Sequence, residues 1–333
     1  MTTVTEVQLE DLLSAPSAAD IGVASAIQGD ILLLGAAGKM GPSLARRIRR
    51  AMDAAGNTAR VITVSRGELE IEGVQHIRCD MLAPGALDTL PDAPNVFYLA
   101  ARKFGSTGNP SETWAANVLL PGLVSRRYRT SKIVSFSTGN VYPLVPVESG
   151  GATEETPMDP VGEYAWSATG RERMFDYAAR TYGTPVTLLR LNYACELRYG
   201  VLVDLATKIF NEEPVDLSMG YVNVIWQGDA NSICFRSLAH CATPPFVLNL
   251  TGLETLRVRD LAEKLGDKLR KTPVFVSEPA PTALLNNATL CHGMFGPATV
   301  SVDQMIDWIA DWISEGGRLL GKPTKFQVRD GRF

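Results

Sequence analysis

Four consecutive apolar residues, Ile31-Leu32-Leu33-Leu34, run directly into Gly35, Gly38 and Gly41, and a basic stretch beginning Pro42-Ser43-Leu44-Ala45-Arg46 follows. No other feature restricts the fold as much. The apolar run reads as a short strand buried on both faces. Leu44 and Ile48, four residues apart, read as the inner face of a helix. Strand, G-x-x-G-x-x-G turn and helix in that order form the phosphate-binding unit of a dinucleotide fold. The first glycine permits the tight turn, the second lets a pyrophosphate approach the main chain, and the third lets the helix lie close to the sheet. The helix N-terminus then offers free N–H groups and a positive dipole end. Lys39 and Met40 lie inside this turn and are read with it as cofactor-binding. A P-loop would need four residues between its glycines and Ser or Thr after the lysine. Here Ala36 and Ala37 intervene and Met40 follows, which excludes it.

Strand and helix signals alternate as far as residue 191. The first crossover helix covers 41–55, and a second strand over 60–64 leads into Ser65-Arg66-Gly67. An acid at this point would bind the ribose 2′-OH of NAD, whereas an arginine accommodates the 2′-phosphate of NADP. Ser65 and Arg66 therefore favour NADP over NAD. A third strand, 74–79, ends at Asp80-Met81, where the carboxylate either meets the adenine amino group or caps the turn. The fourth, 95–101, ends in Leu99-Ala100-Ala101, small enough to admit a cofactor. A helix over 112–127 carries Pro121, which predicts a kink. The fifth strand, 132–136, feeds Ser137-Thr138-Gly139-Asn140, and residues 143–161 read as a lid or substrate edge with its acids, Glu148, Glu154 and Glu155, in solvent. A helix over 163–182 opens on Tyr164, and the sixth strand covers 185–191. Later signals are shorter: helices over 201–210, 229–240, 258–269 and 302–314, and strands over 222–225 and 246–250.

This pattern predicts an α/β chain with a Rossmann-type doubly wound parallel sheet and a smaller C-terminal substrate lobe. Residues 1–28 form an N-terminal helical extension. Residues 29–191 form the dinucleotide-binding domain, to which 226–252 returns. Residues 192–225 and 253–333 form the substrate-binding lobe. The crevice at the carboxyl ends of the strands is where ligands belong.

Composition narrows the partners. A formal net charge of −4 argues against nucleic acid or an anionic membrane surface. No apolar run approaches the ~20 residues that span a bilayer. The first twenty residues carry Glu6, Glu10 and Asp11 and no apolar core, unlike a signal peptide. Cys79, Cys195, Cys234, Cys241 and Cys291 form no C-x-x-C pair, which fits reduced thiols in a cytoplasmic protein. His76, His240 and His292 are isolated, so no metal site is expected.

Together, Gly35-x-x-Gly38-x-x-Gly41, Asp80, Leu99-Ala100-Ala101, Asn117, Ser137-Thr138-Gly139-Asn140-Val141-Tyr142, the helix opening on Tyr164 and the run from Asn223 to Asp229 resemble the extended short-chain dehydrogenase/reductases, the NAD-dependent epimerase/dehydratase family. The resemblance covers nearly the whole chain after residue 28. It implies that Tyr164 is the acid/base, that Thr138 bonds the reacting oxygen and that Asn117 is structural. Asn140, Asn192, Arg198, Asn223 and Trp226 fall where members line the substrate pocket. Helices 112–128 and 163–182 correspond to those that pair subunits, so a homodimer is expected.

The family motif Tyr-x-x-x-Lys is broken here, since Ala168 stands in place of the lysine. That lysine holds the nicotinamide ribose and lowers the tyrosine pKa. Bringing an ordinary phenol from ~10 to near 7 costs roughly 4 kcal/mol. Lys103, just past the fourth strand, is the expected replacement, ahead of Arg102 or Arg171. Gly139-Asn140 replaces the Asp-Glu of the family's dehydratases, which disfavours dehydration. The expected function is an NAD(P)-dependent epimerase or reductase for a sugar, sugar acid or nucleotide sugar. The alternative is a weakly active or non-catalytic NADP-binding protein of the same fold.

Overall fold

The computed structural model describes residues 4–103, 105–106 and 108–332. Seven strands form its central sheet: β1 (Ile31–Leu34), β2 (Val61–Ser65), β3 (Gln75–Arg78), β4 (Asn95–Tyr98), β5 (Lys132–Thr138), β6 (Val186–Leu191) and β7 (Phe246–Leu250). Their spatial order is β7-β6-β5-β4-β1-β2-β3, and every neighbouring pair is parallel. Leu34 stands level with Val64 on one side and Tyr98 on the other. The strand order reverses between β1 and β4, so a crevice opens at the carboxyl ends beside Gly35.

Alternation along β1 explains the layers. Ile31 and Leu33 pack into the core beneath one helical face, with Leu44, Ile48 and Phe235. Leu32 and Leu34 point the other way, among Val124, Phe175 and Ala179. Helices α1 (Glu6–Ser14), α2 (Ala18–Ala26) and α3 (Gly41–Ala54) belong to the first face. The opposite face carries α4 (Pro110–Trp114), α5 (Leu120–Arg127) and α6 (Glu163–Tyr182). Pro121 does not simply kink a continuous helix. The chain stays helical from Pro110 to Arg127 but widens into a π-helical turn over Ala115–Leu119, immediately before the turn that carries Pro121.

Beyond β6 lie α7 (Val201–Phe210), α8 (Gln227–Arg236), α9 (Val258–Leu269), α10 (Thr289–Phe295) and α11 (Val302–Ser314). α7, α9 and α11 pack on one another around a separate core that includes Leu205, Leu265 and Ile309. α8 packs instead on α3, and β7 completes the sheet beside β6. The N-terminal extension is bonded to the body. Asp20 caps α2 with Ser17, and its buried carboxylate also accepts from Arg47 at 3.0 Å and Ser232 at 2.7 Å.

The 143–161 segment is tied down. Val145–Pro146 pairs antiparallel with Thr282–Ala283, and Ala152 exchanges 2.8 Å backbone bonds with Leu285 and Asn287. Glu154 is not merely solvated, because its carboxylate accepts the Asn249 N–H at 2.8 Å. Among the described residues, no helix is long and apolar enough to cross a membrane.

Candidate functional site

A cavity of about 700 Å³ opens at the strand reversal. Gly35 and Gly38 form one wall, and Leu99, Ala100 and Ala101 form another. Gly35 has φ 86°, and a Cβ there would lie 2.5 Å from the Ala100 nitrogen, so only glycine fits without displacing the chain just past β4. Gly41 touches the loop itself, where a Cβ would meet the Ala36 carbonyl oxygen at 2.0 Å. Gly38 meets nothing closer than the Gly35 oxygen at 3.5 Å, which leaves its face open to the cavity. This cradle fits a dinucleotide diphosphate, with main-chain amides available and side chains absent where the ligand must approach.

Ser65, Arg66, Asp80 and Met81 line the end of the cavity beside β2 and β3. Ser65 donates to the Gly67 carbonyl at 2.9 Å. The Arg66 side chain is exposed, and its carbonyl accepts from Arg78 Nε at 3.1 Å. Asp80 accepts the Leu82 N–H at 3.2 Å, so it caps the turn while its residue also faces the cavity.

Lys103 lies at the other end. It lines the same cavity, and its Nζ is 5.8 Å from the centre of the Tyr164 ring. Tyr164 is buried in the first turn of α6, and Ala168 is fully buried one turn later. Lys103 Nζ also donates to the Thr324 carbonyl at 3.3 Å. Asp204 on α7 accepts from the Thr324 N–H at 2.7 Å and from its hydroxyl at 2.5 Å. A C-terminal strap thus holds the lysine from behind. Burial pushes Lys103 down to about 8, opposed by the Asp204 carboxylate. Thr138 ends β5, and its hydroxyl oxygen accepts from the Asn140 backbone at 3.2 Å and side chain at 3.0 Å, which leaves its proton to donate.

The two arginine candidates sit otherwise. Arg171 is buried on α6 and donates to the Phe136 carbonyl at 2.9 Å and to Asn117 at 3.0 Å, away from the cavity. Arg102 lines the cavity but is ion-paired with Glu112. Asn117 is fully buried and bonds both the N–H and the carbonyl of Arg102, so it fixes the loop that carries Lys103. Beneath the site, Arg190 and Glu172 form a buried bidentate pair at 3.0 and 2.8 Å, and Arg190 also donates to the Tyr142 hydroxyl at 2.6 Å.

The residues read as substrate-facing are mostly engaged. Asn192 donates to the Leu284 carbonyl at 3.4 Å, and Asn223 bridges Glu254 and Asn286. Arg198 is clasped by Glu196 and Glu10 at 3.1 and 2.7 Å, and by Glu6 at 3.5 Å. Trp226 is buried edge-on against Trp308.

Lys39 and Met40 do not line the cofactor cavity. Met40 packs on the core, whereas Lys39 crosses to the substrate lobe. Its Nζ donates to the Ala194 carbonyl at 2.6 Å and lies 4.4 Å from the centre of the Tyr199 ring. Burial pushes this ammonium down to about 8. Sequence reasoning missed Tyr193, Tyr199, Asp204 and Thr324. The first three lie on the stretch from the end of β6 into α7 and the fourth on the C-terminal strap bonded to it, and none carries a spacing signal.

Residues 31–195 match the model of the NAD dependent epimerase/dehydratase family. No curated protein sequence matches the chain. Several solved structures share its fold. MoeE5 in complex with UDP-glucose and NAD is 19% identical, and the match covers 86% of this chain and 99% of that one with a TM-score of 0.72. The UDP-glucose 4-epimerase of Thermotoga maritima with UDP-glucose is 17% identical over 86% and 99% of the two chains, with a TM-score of 0.71. The UDP-glucuronic acid 4-epimerase of Bacillus cereus in complex with NAD is 18% identical over 86% and 97%, with a TM-score of 0.72.

Proposed function

The chain belongs, through residues 31–195, to the NAD-dependent epimerase/dehydratase family, and from that premise we propose that it is a nicotinamide-dependent epimerase or reductase acting on a sugar, sugar acid or nucleotide sugar. The observation that carries this reading is Lys103. It lines the dinucleotide cavity and also lies against Tyr164, so one cation serves the place that Ala168 leaves empty of charge.

Gly35, Gly38 and the start of α3 would hold the diphosphate, and Asp80 and Met81 the adenine. Arg66 would meet a 2′-phosphate, which favours NADP, although two of the similar structures named above contain NAD. The nicotinamide supplies hydride transfer when bound. Tyr164 exchanges a proton with the substrate hydroxyl, and Thr138 donates to the same oxygen. Lys103 places a positive charge beside the Tyr164 ring. Asn140 orients Thr138. Trp114, Leu119, Leu123, Trp166 and Tyr177 leave large apolar side chains exposed on α4–α6 and the turn between them, which supports a homodimer through that face.

The test is spectroscopic. Purified protein should carry or bind NADP or NAD, and a panel of sugars, sugar acids and nucleotide sugars should change absorbance at the reduced-cofactor band. Tight cofactor with no turnover on any of them, and ligand binding indifferent to Tyr164→Phe, would instead identify a non-catalytic NADP-binding protein. Failure to bind either cofactor at millimolar concentration would end both readings.

A further inference from the structure

Lys39 is a half-buried residue with a desolvated ammonium for which the reading above has no use. It stands between Gly38 and Gly41, yet it turns its ammonium away from the cofactor cavity. An ammonium has three donors, and here one is used, on the Ala194 carbonyl. Among the described residues, no carboxylate lies within ion-pair distance of Nζ. The carboxylate that acts on it most strongly, Glu196, is spent on Arg198, whose Nε it accepts at 3.1 Å. A desolvated charge without a counter-ion is costly and is retained where a ligand supplies the missing charge.

The surroundings fit that role. The Tyr199 ring lies over the ammonium. Burial pushes the Tyr199 phenol up, and neighbouring Asp204, Tyr164 and Tyr193 add to the rise. Among the described residues, neither the Tyr193 nor the Tyr199 hydroxyl has a hydrogen-bond partner. Tyr193 is held at φ 48°, a strained conformation for an aromatic residue that tends to persist at ligand sites. Arg198, the other strong cation here, is already neutralised by Glu196 and Glu10.

We infer that Lys39 is a specificity-determining residue that binds an oxyanion of the substrate, with the Tyr193 and Tyr199 hydroxyls as supporting donors. This rests on the proposed oxidoreductase reading and narrows its substrate class to acidic sugars or phosphorylated ones. A carboxylate or a phosphate would satisfy the same ammonium.

The test uses the full chain and calorimetry, with D-glucuronate as carboxylate probe, UDP as diphosphate probe and D-glucose as neutral control. NADP and NAD are titrated separately, so loss of cofactor binding by the unmodified protein counts against the enzyme reading alone. At pH 6.5 the unmodified protein should bind at least one anionic probe. Its affinity should fall at least tenfold in Lys39→Met, and likewise by pH 9 as Lys39 loses its proton. Lys39→Arg should retain binding. D-glucose and cofactor affinities should stay within twofold in Lys39→Met. The thermal midpoint of that variant should hold or rise, because an unpaired buried charge is removed. A response to D-glucuronate alone identifies a carboxylate, and a response to UDP alone a diphosphate. The inference is overturned if neither anion binds, or if anion affinity ignores the substitution and pH. It is equally overturned if cofactor affinity falls as far as anion affinity, which gives Lys39 to the dinucleotide, or if the midpoint drops while anion affinity holds, which marks a structural lysine.

Discussion

The two ends of the crevice are built in opposite ways. The end beside β2 and β3 is an open cavity made of backbone and small side chains, with Arg66 exposed at its rim. The end beside Tyr164 is closed by parts distant in sequence: Lys103 from the loop after β4, Asp204 from α7 and Thr324 from the C-terminal strap. One end is defined by absence, since a Cβ at Gly35 or Gly41 would collide with neighbouring backbone, and under the proposed function a ligand's phosphates would reach the main chain there. The other works through buried charge, whose strength depends on what excludes water around it. A Cβ should therefore damage the first end, and loss of charge the second.

The largest effect should come from Gly35→Ala. Positive φ and the approach of Ala100 together cost about 1–3 kcal/mol of stability. Cofactor affinity should fall at least ~100-fold, or about 2.7 kcal/mol, measured by urea unfolding and calorimetry. Unchanged binding would mean that the dinucleotide does not use this turn.

Lys103→Met should divide the two ends. Turnover should drop by about 10²-fold, in the range of a lost proton-transfer partner, while cofactor Kd changes far less. Stopped-flow and equilibrium titration separate these quantities, and equal losses in both would assign Lys103 to cofactor binding alone.

Asp204→Asn probes the same end through pH. Under the proposed function Lys103 would act while protonated, so activity should fall as pH rises through about 8. The Asp204 charge raises that value. Removing it should lower the Lys103 pKa and move the alkaline limb of the rate profile to lower pH. A limb that stays in place would show that the strap does not tune the lysine.

The smallest expected effect is at the open rim. Arg66→Ala should weaken NADP by about tenfold, roughly 1.4 kcal/mol, and leave NAD and turnover unchanged. Equal affinities for both cofactors in the unmodified protein would remove Arg66 from cofactor choice.

The same contrast explains what was legible in the chain. Gly35, Gly38, Asp80 and Ala100 were readable because one strand–turn–helix unit and its neighbouring strand ends make that wall, and contacts close in sequence leave a spacing pattern. Lys39 was readable as part of the turn, but not in its direction. A side chain on a loop can point to either side, and only the substrate lobe, packed against it at Ala194 and Tyr199, draws it across. Arg198 shows the converse. Its position fitted a phosphate grip, but α1 places Glu10 on it, a residue 188 positions away.

By itself, the sequence determined the parallel sheet and the crossover glycines, because period and turn chemistry are local properties. The tertiary structure decided which cation stands by Tyr164, which arginines are already neutralised and which lysine is left without a counter-charge. Those outcomes depend on burial and on distances between segments far apart in the chain, and electrostatic energy is set by distance through space and by the exclusion of water.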